Sequence, residues 1–353
     1  MSAFTYIYSM DFFTRVDLPE PGFNIDYTRR IAFFGSCFAD NIAAQFAMRK
    51  FQVLSNPFGT VYNPLSIERQ LREIADGKVF GEEDVFQDAR GPWHSWLAHS
   101  SLSAPSREEC IAKLNAAAGN ARKFLKQADT VFITLGTAFV YSLDGQIVAN
   151  CHRQDPRLFE RRMITVEEAA EAIRGIVGCL RKIADKELHI VFTVSPLRHM
   201  GDGAHSNNLS KATLLLAINS IKQKAMDSIG STSLQNDIAE YFPSYEIVMD
   251  ELRDYRFYES DMIHLSKTAE EYIFERMVET YCDMTTYGYI ARVEKFMKEA
   301  NHRVSDTHSP AAAAFAQKAI AQAENLEKAI PGLDLGAEIA KFREILNNSK
   351  GFN

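Results

Sequence analysis

The feature that most restricts what this chain can become is an alternation that begins at residue 31. Short apolar runs at 31–34, 51–55, 130–135 and 189–194, with a further one at 246–249, are separated by stretches of helical periodicity. Those stretches fall at 39–50, 64–74, 107–126, 166–186 and 209–229, and a last one follows at 266–282. The runs have the length of buried strands, and the stretches between them have the length of surface helices. Strands that alternate with helices pair in parallel, because each helix carries the chain back across the sheet. Strand twist makes the crossovers right-handed. The expectation is an α/β fold: a three-layer α/β/α, doubly wound parallel sheet. Pro64 suits the first turn of its helix, and Thr165 suits the cap of the next but one.

This unit is expected to span residues 1–285. Beyond it the character changes: 309–326 is Ala-rich and helical, Pro331-Gly332 interrupts it, and 335–347 is amphipathic. Residues 286–353 therefore read as a C-terminal helical extension for packing or self-association, which makes a homo-oligomer built through these helices an expectation. Two connections, 80–104 and 136–162, are longer than ordinary ones and rich in His, Trp, Asn and Arg, as active-site elaborations are.

A formal net charge of −7 argues against general affinity for nucleic-acid backbones or anionic membranes, both of which need clustered excess Lys and Arg. The five cysteines, at 37, 110, 151, 179 and 282, are scattered and form no CxxC pair. Neither a disulfide framework nor a structural zinc site is expected, and a reducing cytoplasm is the expected location. Residues 1–18 lack the cationic start and apolar core of a secretory signal, and no stretch has the apolar length of a transmembrane helix.

Open α/β sheets bind ligands at the carboxyl ends of their strands. There the first strand ends in Gly35-Ser36, with Gly35 permitting a sharp turn. A serine hydroxyl becomes a useful nucleophile when a histidine takes its proton and a carboxylate orients that histidine. Asp261-Met262-Ile263-His264, in a short loop just ahead of a helix, supplies both groups. Cys37 is an alternative nucleophile, although a cysteine beside Phe38 at a helix start is more often a small buried hydrophobe. Gly59 and Gly136 follow the second and third strands, where glycine lets backbone approach a ligand and a backbone N–H can hold an oxyanion. Asn150 is a candidate side-chain donor for the same purpose. His94, His99, His152 and His199 lie in polar loops with Arg153 and Arg198. Their spacings match no metal-ligand pattern, so no metal is expected. They read instead as the lining of a polar substrate pocket, with Arg153 or Arg198 meeting a carboxylate or sulfate-like group.

Taken together, the motifs resemble those of the GSCFA-domain family, which is itself similar to the SGNH (GDSL-like) hydrolases. They are Gly35-Ser36-Cys37-Phe38-Ala39, Asn56-Pro57-Phe58-Gly59-Thr60-Val61-Tyr62-Asn63-Pro64, Leu135-Gly136-Thr137-Ala138, Asn150-Cys151-His152, Ser195-Pro196 with His199, and Tyr255-Arg256-Phe257-Tyr258 leading to Asp261 and His264. The resemblance implies a flavodoxin-like sheet of SGNH type, with Ser36 as nucleophile, His264 as base and Asp261 as its orienting partner. It implies oxyanion donors at the backbone N–H of Ser36 and Gly59. Relatives usually carry asparagine where this chain has Ala138; either Thr137 or Asn150 replaces that donor, or the oxyanion hole is incomplete and catalysis is weaker. The expected activity is hydrolysis of an acyl ester, such as an acetyl ester, of a small polar molecule or sugar, without a cofactor. The alternatives are O-acyl transfer through the same triad and non-catalytic binding on the same fold.

Overall fold

The protein is seen in a computed structural model that describes residues 13–227, 240–301 and 309–350. In chain order the first half comprises β1 (Arg30–Gly35), α1 (Cys37–Met48), β2 (Gln52–Ser55), α2 (Pro64–Asp76), β3 (Phe86–Gln87), β4 (Trp93–His94), α3 (Arg107–Leu125), β5 (Thr130–Leu135), β6 (Phe139–Leu143), β7 (Gln146–Val148) and β8 (Glu160–Met163). The second half comprises α4 (Val166–Ile183), β9 (His189–Val194), α5 (Ala204–Asp227), β10 (Glu240–Tyr241), α6 (Ser244–Glu246), α7 (Lys267–Tyr281), α8 (Met284–Ala300), α9 (Pro310–Ala329) and α10 (Gly336–Lys350). The reading of the N-terminus as no secretory signal falls mostly on residues 1–12, and the expected end of α5 at 229 falls just past 227. Both lie outside the described residues.

Period-two alternation along the strands produces three layers. In β1, Ile31 and Phe33 enter one core while Ala32 and Phe34 enter the other. In β5, Phe132 joins the first core and Val131, Ile133 and Leu135 the second. Helices α1 and α7 to α10 cover the first face, and α2 to α5 cover the second. Phe33 stacks on Phe132 at 5.1 Å between ring centroids, and full burial of such a ring stabilises the fold by about 1.5–3 kcal/mol.

The five-stranded sheet runs β10-β9-β5-β1-β2, with every pair parallel. Counted along the chain, this is the order 2-1-3-4-5 of flavodoxin-like folds, whose ligand crevice opens where the winding reverses, between the first and third strands. Here that point lies between β1 and β5, where Gly35, the last residue of β1, faces Thr134.

One expected strand is not a strand. Residues 244–251 are helical, as α6 continued by a π-helical turn over Ile247–Glu251, and the fifth strand is the two-residue β10. Ile247, Val248 and Leu252 bury into the first core, and so short an apolar run carries no period that separates strand from helix. The extension has one helix that the alternation did not suggest, α8, capped by Asp283. Ala312, Ala316, Ala319 and Ala323 of α9 are buried against the rest of the chain. Lys50 pairs with Glu338 of α10. Both long connections fold into antiparallel strands, β3–β4 in one and β6–β7–β8 in the other. Among the described residues, no helix is long and apolar enough to cross a membrane.

Candidate active site

The turn that ends β1 tolerates only glycine. Gly35 has φ +130°, and a Cβ there would lie 2.0 Å from the Thr134 carbonyl oxygen. Its N–H donates to the Asn56 side-chain oxygen at 2.8 Å. Ser36 follows as the N-cap of α1, in extended backbone conformation. A serine at that position ordinarily accepts from a first-turn N–H. Ser36 does not: its hydroxyl is buried and has no hydrogen-bond partner among the described residues. An orphaned hydroxyl of this kind costs about 1–3 kcal/mol, a cost that a structural serine has no reason to carry.

Ser36 lines a cavity of about 570 Å³ together with residues from four other chain segments. Tyr62 and Asn63 come from the approach to α2, and Thr137, Phe139, Asn150 and Arg161 from the region of the β6–β8 insertion. Ser195, Arg198 and His199 follow β9, and His264 precedes α7. The cavity therefore opens on the carboxyl edge of the sheet, at the reversal of winding.

The loop carrying His264 is fixed by its own sequence. Asp261 accepts the N–H of both Ile263 and His264 on one carboxylate oxygen, at 2.9 Å each. Its other oxygen meets His264 Nδ1 at 2.6 Å. The Glu259 N–H donates to the His264 carbonyl, and Met262 adopts φ +58° to close the turn. The bond from His264, followed by the two backbone N–H groups, holds the Asp261 carboxyl down to about 2. Asp261 thus stays ionised and fixes the imidazole, leaving Nε2 as the free ring nitrogen. Because the Ser36 hydroxyl has no partner, the Ser36–His264 hydrogen bond is not made in this structure. Burial pushes the Cys37 thiol up, which keeps this neighbour protonated and a poor nucleophile.

Most of the backbone N–H groups expected to hold an oxyanion are already in use. The Gly59 N–H donates to the Asn56 carbonyl at 2.7 Å, and Gly59 packs against His99 rather than into the cavity. Gly136 and Thr137 both donate to the Tyr62 carbonyl, at 2.7 and 3.0 Å, and the Ser36 N–H makes a longer contact of 3.3 Å to Thr134. The Thr137 hydroxyl is within 3.1 Å of Ser210 Oγ, which also accepts the Ala138 N–H. Two side-chain amides remain. Asn150 accepts the His152 N–H on Oδ1 at 2.7 Å. Asn63 accepts the Ser66 N–H at 2.8 Å as the N-cap of α2. Both residues line the cavity, and in both the side-chain oxygen is already engaged, which leaves the NH₂ group as the free donor. The sequence reading missed Asn63, whose position beside Pro64 marks it first as a helix cap.

The histidines divide into two groups. His199 lines the cavity, its ring edge-on to Tyr62. Burial, with Lys211 nearby, pushes its pKa down to about 4, so it is neutral at physiological pH. His94 and His152 belong to a separate buried cluster under the β3–β4 ribbon, their rings 4.5 Å apart beside Phe86 and Trp96. His152 meets the Ser95 carbonyl at 2.8 Å, and burial holds its pKa at about 4. His99 is turned toward Ser101, and Arg153 is exposed on the loop surface. Of the residues expected around a substrate, Arg198 and His199 line the Ser36 cavity, while His94, His99, Gly136, His152 and Arg153 are placed outside its lining and the Gly59 N–H is engaged by Asn56. Among the described residues, no group of three or more His, Cys, Asp or Glu is placed to hold a metal ion.

The family model described as the GSCFA family matches residues 30–277. A second, described as the C-terminal domain of GSCFA domain proteins, matches residues 293–348. Among curated proteins and among solved structures, none matches the chain. The chain belongs to the GSCFA family.

Proposed function

We propose, for a GSCFA-family chain with this cavity, the activity of a serine esterase of the SGNH (GDSL-like) kind. The observation that supports it is that Ser36 and His264 line one cavity, with Asp261 bonded to the far nitrogen of His264. Ser36 Oγ attacks the ester carbonyl carbon while His264 Nε2 takes the hydroxyl proton. The negative charge that develops on the carbonyl oxygen is met by the side-chain NH₂ groups of Asn63 and Asn150, fixed in advance by their anchored oxygens. Collapse of the tetrahedral intermediate breaks the bond to the alcohol, which leaves with the proton from His264. Water then attacks the acyl-Ser36 ester and gives a proton to His264, which returns it to Ser36 Oγ as the acyl bond breaks and the acid leaves. The Ser36–His264 hydrogen bond closes as substrate enters, since catalytic hydrogen bonds are often long in unliganded enzymes. The scattered cysteines, all free, fit a reducing compartment.

The unmade Ser36–His264 bond also favours a second reading, a binding protein on the same fold. Labelling with a fluorophosphonate, read by intact mass, separates the two. The esterase reading expects one adduct on the wild type and none on Ser36→Ala. An unlabelled wild type that still binds small polar esters leaves the binding protein, and an adduct that persists in Ser36→Ala removes Ser36 from the mechanism.

A further inference from the structure

The charge in the Ser36 cavity is unbalanced. Arg161, Arg198 and Asp202 are the permanently charged side chains among its described lining residues. Asp202 is taken by Arg161. Arg198 makes no ion pair among the described residues; its one side-chain hydrogen bond goes to the Met249 sulfur at 3.1 Å, a weak acceptor for a group with five donors. Arg198 also lines a neighbouring cavity, but the carboxylates there, Asp254 and Asp261, are bonded to Arg256 and His264.

A second cation stands behind the same wall. Lys211 of α5 is 1 % exposed, and its ammonium lies between the carbonyls of Gly136 and Ser195, at 2.6 and 2.7 Å. These two oxygens end β5 and β9, and neither carries a charge to offset the ammonium. Burial, and next the Arg198 charge, push the Lys211 pKa down to about 7. Arg198 therefore lines the cavity with no carboxylate partner among the described residues, and the Lys211 amine behind it is met only by neutral carbonyls, in a chain whose net charge is −7. Uncompensated charges in a partly desolvated site are costly unless something of opposite sign is bound there.

We propose that the cavity takes an acyl ester bearing an anionic group, a carboxylate or sulfate, and that the Arg198 guanidinium binds that group. The ester part rests on the esterase reading; the anion part does not. Guanidinium recognises such groups through paired N–H donors.

A matched pair of probes tests this: 4-acetoxybenzoate and its neutral methyl ester, which share an acyl group and differ in one charge. The expected result is a wild-type kcat/KM ratio that favours the acid and falls about tenfold or more in Arg198→Met, with partial retention in Arg198→Lys. A ratio that is the same in wild type and Arg198→Met overturns the proposal. Calorimetric titration of Ser36→Ala with both probes reads recognition without turnover. Tighter binding of the acid, lost in Ser36→Ala/Arg198→Met, supports the anion site even where the esterase reading has failed. No preference for the acid, including no binding of either probe, overturns it.

Discussion

Two histidine–aspartate pairs in this molecule differ in reach, exposure and partners. In His264–Asp261 the contact is 2.6 Å, both side chains are about half exposed, and the imidazole reaches the Ser36 cavity. In His94–Asp88 the contact is 3.5 Å and both side chains are buried. Asp88 is occupied by Arg90, and His94 Nδ1 by the Ser103 hydroxyl at 2.6 Å. Burial lowers the His94 pKa, so this imidazole stays neutral inside an aromatic cluster. Asp88 is held by Arg90 and stands 3.5 Å from His94, beyond the short bond that orients a base, and the His94 imidazole does not line the Ser36 cavity. On the esterase reading, the first pair serves proton transfer and the second holds an insertion in place.

Substitutions at the two pairs should separate these roles. His264→Ala is expected to lower kcat by about a thousandfold or more with little loss of stability, as removal of a base from a working triad does. His94→Ala is expected to leave kcat unchanged but destabilise the fold by about 1–3 kcal/mol through its orphaned partners. Steady-state kinetics beside urea unfolding reads both, and similar losses of kcat in the two variants would erase the contrast. A smaller effect sharpens the picture at Asn63. Asn63→Ser keeps an oxygen for the α2 cap but removes the amide, so kcat should fall about a hundredfold while the unfolding midpoint holds. An unchanged kcat there would move the oxyanion elsewhere.

The smallest effect is a pH dependence. His152 and His199 are held at about 4 in the fold, from an ordinary value of 6.5. Between those values the unfolded chain binds protons that the native one refuses, so their contribution to stability falls as pH drops from about 6.5 to about 4. Urea unfolding across that interval should show the wild type losing stability relative to His152→Gln. A constant difference between the two would contradict the buried, neutral histidine.

What the sequence made legible follows from what burial does to residue patterns. Thr130–Leu135 and His189–Val194 have the strand bounds expected of them, because a strand covered on both faces becomes a continuous apolar run. The fifth strand was illegible: Glu240–Tyr241 has two residues and no apolar run, while 246–249 has the run and is helical. In the site, Ser36 and His264 could be picked out by residue type at the ends of elements. The histidines of the long loops could not be sorted, since loop sequence does not reveal which way a loop folds back. Asn63 was hidden by its second role, for one carboxamide both caps α2 and faces the cavity.

On the esterase reading, the Ser36 hydroxyl attacks the ester carbonyl carbon while the His264 imidazole takes the hydroxyl proton, both within this cavity. A crystal structure of the protein after reaction with a fluorophosphonate tests it most directly. The expected adduct has phosphorus bonded to Ser36 Oγ, with a phosphonate oxygen about 3 Å from Asn63 Nδ2 and His264 Nε2 within hydrogen-bond reach of the adduct. Phosphorus on another residue, or a Ser36 adduct with His264 turned out toward solvent, would contradict it.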